Sequence, residues 1–426
     1  AEAHASCLPA SPPLRRVFFA VRPDLREQSG GDTVQALSTA AALRKMGVAV
    51  TISADIDAEL ADFDLVHLWH LERVHETYAH FRNARRRSKP TVLSTIYWPW
   101  DSKPYRPRTA LLSARAWRED MKNLWRLGRA LFGEREGVVA AAILAVYPHA
   151  VLFTPLVLAE TLFVALLLWG LVSLRSAWAG RTRAAGVAGL ALGLGTLVRA
   201  SLLPGVFFLT AAWVVLRRFA KGAVGGAALM VLVFAATMTP WVVRNWRASG
   251  GHFVPTTLRA GPSLYEALNP RADGGPMMDR IDWGRGTEGL SEYEANRLWQ
   301  RRAIEWAKEN PGRALALAGR KLARFWNPVP NAPEFRTPLL SVAIAVPYLL
   351  VLALAAAGLR DWWRRPEVHL ILVLPVLYHA LLHAVFVSSI RYRMPVMPLI
   401  IVLAAPGLLR VLRRAAPSFP QTREAA

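Results

Sequence analysis

Glu160 is the sole acidic residue between Gly137 and Tyr265, and it stands in the apolar run PLVLAETLF. A carboxylate in hydrocarbon is expensive, so it turns toward protein or a water-filled cavity. It is therefore a candidate catalytic acid or base, with an ion pair between helices as the structural alternative. Arg199, Arg391 and Arg393 stand at the ends of other apolar runs, with Tyr392 between the last two. Guanidinium groups stay charged when desolvated and present paired donors that match phosphate oxygens. These four residues form a candidate lipid-phosphate site, the alternative being side chains that snorkel to the headgroups.

Two further groups belong to polar stretches. Tyr265, Asn269 and Asp273, in the same segment as Glu266, Arg271, Asp279 and Asp282, could bind a sugar or an acceptor through hydroxyl hydrogen bonds and ring stacking. Gly30, Gly31 and Asp32 lie between a predicted strand and a predicted helix. Backbone N–H groups there can meet a phosphate or a sugar, or the glycines simply make a tight turn with Asp32 or Thr33 as N-cap. His70, His75, His80 and His149 show no metal-ligand spacing with carboxylates, and no zinc or P-loop pattern occurs.

The elements that position these residues follow from hydropathy. Eight apolar runs are predicted to span a membrane, near 138–154, 157–174, 185–199, 201–216, 222–242, 338–358, 367–387 and 394–411. Five of them fall within 137–243 and three within 337–415. The loops on one side carry Arg175, Arg181, Arg183, Arg217, Arg218, Lys221, Arg360, Arg364, Arg365, Arg410, Arg413 and Arg414, whereas the alternate short loops hold Arg199, Arg391 and Arg393. That bias puts both termini in the cytoplasm, with a tail at 416–426, and the polar segment 244–336 outside, as a multi-pass protein of the inner (plasma) membrane would have it. Within that segment, helices are predicted over Ser291 to Asn310 and Pro311 to Phe325.

Residues 1–105 read differently, as a soluble α/β Rossmann-like unit. Strands are expected at Arg16 to Val21, Val48 to Ser53, Asp64 to Leu68 and Thr91 to Ile96, with helices over Thr33 to Met46 and Glu76 to Arg86. A connector, 106–136, joins the two parts. The net charge of +22 does not indicate nucleic acid, because the basic residues fall in short clusters between hydrophobic runs. A single cysteine, Cys7, excludes an intrachain disulfide. The chain opens with Ala, and Arg15-Arg16 precede only a short apolar run, so no signal peptide is expected at its start.

Several stretches resemble polyprenyl-phosphate-dependent glycosyltransferases of the C fold class, related to protein O-mannosyltransferases and the lipid A aminoarabinose transferase. They are LFGEREGVVAAAILAVYP (131–148), PLVLAETLF (155–163), GLALGLGTLVRAS (189–201), TPWVVRNW (239–246), SLYEALNPRADGG (263–275) and RYRMPVMPLI (391–400). The resemblance implies an enzyme that takes a sugar from a polyprenyl-phosphate carrier and transfers it, with inversion, to an acceptor outside. It places the site region at Glu160, Arg199, Tyr265, Asn269, Arg391 and Arg393, and a divalent metal is compatible with the family. The family's catalytic carboxylate lies in an outer loop after its first span, and no span precedes residue 138 here. In that place GGDTVQALSTAAALRKMGVAV (30–50), DLVHLWHL (64–71) and KPTVLSTIYW (89–98) resemble the N-terminal half of a B-fold glycosyltransferase. Two readings stay open: a membrane glycosyltransferase, whose catalytic residue this leaves unknown with Glu160 as a substitute, and a non-catalytic, membrane-anchored glycolipid-binding protein. A transporter ranks below both, because ionisable groups other than Glu160 are scarce in the spans.

Overall fold

The run RVFFA forms strand β1 (Arg16–Ala20), and four of its five residues are buried. The computed structural model describes residues 15–23, 25, 31–69, 74–94, 106–153, 159–277, 280–283, 286–331 and 336–415. The chain divides into two units, one of residues 1–106 with 278–282, the other of the remainder. In the first, β1 is followed by α1 (Gly31–Lys45), β2 (Ala49–Ser53), β3 (Leu65–Trp69), α2 (Val74–Arg86) and β4 (Thr91–Ser94). The sheet is parallel throughout, in the order β2-β1-β3-β4. Val17 and Phe19 pack with Ala36 and Ala40 of α1, while Phe18 and Ala20 pack with Leu60 and Ala84 on the other face. A strand covered on both faces reads as a continuous apolar run, as β1 does. Asp64 ties the start of the sheet by accepting from the backbone N–H groups of Arg15 and Arg16, each at 2.8 Å. The fourth strand is described to Ser94; Thr95 and Ile96 lie outside the described residues.

The second unit is helical. It begins with α3 (Arg106–Leu131), α4 (Glu134–Val146), α5 (Pro148–Phe153), α6 (Ala159–Trp178), α7 (Thr182–Val198), α8 (Leu203–Leu216) and α9 (Lys221–Ala248). The polar segment supplies α10 (Ala260–Ala267), α11 (Glu292–Glu309) and α12 (Pro311–Phe325). Ser291 caps α11 with Glu294 in a reciprocal capping box, which ends the preceding loop sharply. Helices α13 (Pro338–Trp362), α14 (Pro366–Val385) and α15 (Ile390–Ala415) complete the chain. Helix α7 packs between α6 and α9, α15 packs against α13 and α4, and α12 packs on α14.

Among the described residues, five helices are long and apolar enough to cross a membrane: α6, α9, α13, α14 and α15. The expectation of eight spans is met only to this extent, because three of the apolar runs are not single long helices. The run 138–154 breaks at Tyr147, which is extended (φ −70°, ψ 114°) before Pro148. A residue preceding proline is pushed out of the helical region, and hydropathy alone does not register that. The runs 185–199 and 201–216 are separated, as expected, at Arg199 (φ −139°, ψ 109°), but α7 and α8 are shorter apolar helices. The stretch read as a connector is α3, whose Leu124, Leu127 and Leu131 belong to the same buried cluster as the spanning helices.

Small residues let two helices touch through their backbones. A Cβ added at Gly407 of α15 would come within 2.0 Å of the Leu354 carbonyl oxygen of α13, and one at Gly358 of α13 within 2.0 Å of that of Leu403. Between apolar helices in lipid, such close approach supplies much of the attraction. Gly407→Val is expected to lower the melting temperature in detergent by several degrees. Gly225→Ala in α9, where an added Cβ meets nothing within 4 Å, is expected to be neutral or to add about 0.5 kcal/mol; thermal unfolding of the purified variants checks both.

Candidate functional site

Three helix ends meet at one carboxylate. Glu160 lies in the first turn of α6, where the helix dipole favours a negative charge. It is 5% exposed, and its Oε1 accepts a hydrogen bond from Nε of Arg391 at 2.6 Å. Nη1 of Arg199, at the break between α7 and α8, lies 3.1 Å from the same oxygen. The Arg199 guanidinium also stands over the rings of Phe163 (5.7 Å) and Tyr392 (5.8 Å). Arg391 opens α15, where the Ser389 hydroxyl accepts from its backbone N–H, and its side chain is 47% exposed. The result is one buried carboxylate, one mostly covered guanidinium and one guanidinium open to a ligand.

Arg393 does not join them. It is 1% exposed, its Nη1 donates to the Phe325 and Asn327 carbonyl oxygens at 3.0 and 2.9 Å, and its guanidinium sits 3.7 Å from the Tyr348 ring centroid. It therefore fastens α15 to the end of α12. Tyr392, between the two arginines, stacks on His383 (4.5 Å, 11°) and feels the charges of Arg391, Arg199, Glu266 and Glu160.

The residues expected to bind sugar or acceptor are engaged in holding their own loop. The Asn269 side chain donates to the Tyr265 and Glu266 carbonyl oxygens and accepts from Arg271 N–H. Asp273 accepts from Gly275 N–H at 2.8 Å, and Tyr265 packs against Trp299 with ring centroids 4.8 Å apart. Gly30 lies outside the described residues, as does the side chain of Asp32; α1 starts at Gly31, two residues before the expected Thr33. The buried Thr33 hydroxyl donates to the Leu25 carbonyl oxygen. Among the described residues, no group of three His, Cys, Asp or Glu side chains could hold a metal.

Sequence reasoning missed Asp120, Trp117 and Tyr147, which line a cavity with Glu160. One signal was present: Asp120 lies on the stripe of Leu124, Leu127 and Leu131, at positions i, i+4, i+7 and i+11 of one helix face.

Residues 121–241 match the model of the dolichyl-phosphate-mannose-protein mannosyltransferase family. The match covers Glu160 and Arg199 but less than half of the chain, and it ends well before Arg391. No curated protein and no solved structure matches. The five apolar helices support a multi-pass membrane protein, and the part of it from the end of α3 into α9 is similar to that family.

Arg393→Met would strand two carbonyl oxygens and is expected to cost about 2–4 kcal/mol of stability, whereas Arg391→Ala, which leaves the buried Glu160 carboxylate to Arg199, should cost about 1–3 kcal/mol. Thermal unfolding of both variants tests that ordering. Lys321, fully buried with its Nζ bonded to the Val385 carbonyl oxygen, is pushed down by burial to about 8. A lysine whose folded value is depressed contributes stability above its unfolded value near 10.4 and loses it as pH falls through about 8. Lys321→Met strands the Val385 carbonyl oxygen at every pH, so its stability relative to the parent should be more favourable at about pH 7 than at about pH 10.

Proposed function

We propose that the helical unit takes a sugar on a polyprenyl-phosphate carrier and delivers it to an acceptor on the outer face of the membrane. The observation that carries this reading is the meeting of Arg391, Arg199 and Glu160 at the ends of apolar helices, inside and beside the stretch that matches the mannosyltransferase family. A lipid-linked phosphate lies at that depth, and the half-exposed Arg391 guanidinium is free to turn toward it while Glu160 holds its Nε. Positive loop charge supports placing this end outside, in the inner (plasma) membrane, with α4–α5, α7 and α8 as shorter crossings in an eight-span arrangement. Tyr265, Asn269 and Asp273 would frame the sugar or acceptor from the polar segment. The parallel sheet of the N-terminal unit supports reading it as a Rossmann-like half of the B-fold kind, with Gly31 and Asp32, at the start of α1, in its phosphate-binding position.

One observation favours the second reading, a non-catalytic glycolipid-binding protein: both arginines hold the same oxygen of Glu160, so this carboxylate is engaged as a counter-ion rather than poised as a base. The purified full chain, given labelled polyprenyl-phosphate mannose and other polyprenyl-phosphate hexoses, separates the two. Binding that weakens about tenfold or more in Arg391→Ala, together with release of polyprenyl phosphate, is the result expected of an enzyme. Binding without release supports the second reading, and no binding overturns both.

A further inference from the structure

Glu160, one of whose carboxylate oxygens the arginines leave alone, lines a cavity. Glu160, Thr161, Trp117, Asp120, Tyr147 and Met394 are among the residues that line it, and its volume is about 50 Å³. Four buried polar atoms of these side chains have no hydrogen-bond partner among the described residues: Glu160 Oε2, Asp120 Oδ1, Tyr147 Oη and Trp117 Nε1. Asp120, Glu160 and Tyr147 are 8%, 5% and 2% exposed. Buried polar atoms are nearly always paired, and each orphan costs about 1–3 kcal/mol. Four around one cavity describe a place built to be filled by something polar.

The donor set says what. Trp117 Nε1–H only donates and the Glu160 carboxylate oxygen only accepts, while the Tyr147 hydroxyl does either. Burial, with Glu119 alongside, pushes Asp120 well above the usual carboxylate range, which favours its protonated, donating form. A hydroxyl both donates and accepts and satisfies such a mixture. A phosphate does not, since it cannot donate to Glu160 and no cation stands among the described lining residues. Size narrows the occupant further. About 50 Å³ exceeds the roughly 10–15 Å³ needed by one water but is far below the roughly 150 Å³ that holds a six-membered benzene ring. The cavity admits a hydroxymethyl arm and leaves the ring outside.

We propose that this cavity is a subsite for a projecting hydroxyl of a hexose, received by Asp120, Tyr147 and the second oxygen of Glu160 while the phosphate stays with the arginines. The subsite rests on the reading of a polyprenyl-phosphate sugar as ligand. It lies on α3 as much as on α6, since Trp117 and Asp120 belong to α3, just ahead of the matched residues 121–241.

The test measures binding of four probes to the purified full chain: a short-chain polyprenyl phosphate, its hexose, its 6-deoxyhexose and a methyl hexoside. The parent should bind the hexose about tenfold more tightly than the 6-deoxyhexose, the worth of about one to two hydrogen bonds. Asp120→Leu and Tyr147→Phe should bring that ratio close to one and leave binding of the bare polyprenyl phosphate unchanged. Tyr147→Phe removes a single oxygen and keeps the question answerable if Asp120→Leu does not fold. A ratio of one in the parent, or one that the variants do not alter, overturns the subsite even where Arg391→Ala weakens polyprenyl phosphate and the carrier reading stands. If the bare phosphate is not bound, yet methyl hexoside is bound in a Tyr147-dependent way, the carrier reading falls and the subsite survives as one for an acceptor hydroxyl. Failure of every probe overturns both.

Discussion

A carboxylate shared by two guanidiniums inside an apolar helix bundle constrains everything near it. Removing charges from water costs several kcal/mol per ion, offset only when the geometry brings the partners together and the remaining polar atoms are met. The bundle meets the first condition by ending or breaking its helices around Glu160, while one oxygen of that carboxylate is left without a partner among the described residues. Helix α6 begins there, α7 stops at Arg199, α4 stops at Tyr147, and α15 starts from a Ser389 cap at Arg391. Irregular backbone is tolerated at membrane depth only where it lines a polar site or is buried in protein. The broken helices and the ion cluster are thus one feature, and the long helices α9 and α13 supply the regular wall around it.

How far the sequence carried the fold depends on what each signal measures. The buried strands were legible because parallel strands covered on both faces leave continuous apolar runs such as RVFFA. Hydropathy also located the apolar stretches. It separated the runs 185–199 and 201–216 where Arg199 is extended, but carried the run 138–154 through Tyr147, because a window average does not see that Pro148 unseats that residue from the helix. Helix α3 was read as a connector because Arg118, Lys122, Arg126 and Arg129 dominate its exposed face, whereas the Leu124, Leu127 and Leu131 stripe that buries it is narrow.

The site was legible in part. A lone acid and misplaced arginines stand out in an apolar sequence, and two of the three arginines converge on that acid. What the sequence does not encode locally is direction. Arg391 and Arg393 are chemically alike and two residues apart on one turn, yet Arg391 reaches Glu160 and Arg393 reaches the carbonyl oxygens at the end of α12. Tyr265, Asn269 and Asp273 have the composition of a sugar site, but local hydrogen bonds occupy Asn269 and Asp273, since Asx side chains satisfy nearby backbone before anything distant. The family match covers the part of the cluster on α6 and α7, and the third member comes from a helix outside it.

The anchoring of Arg393 bears on how the open guanidinium would meet a ligand. Two arginines on one short turn share a backbone, so the grip of Arg393 on α12 also fixes the Cα of Arg391, and Glu160 fixes its Nε. A flexible side chain normally forfeits on the order of 1–2 kcal/mol of rotamer entropy when it closes on a partner. Here most of that ordering is completed during folding, so encounter with an anion would draw on a guanidinium already aimed, and the binding step would be governed by arrival of the lipid rather than by rearrangement of the protein.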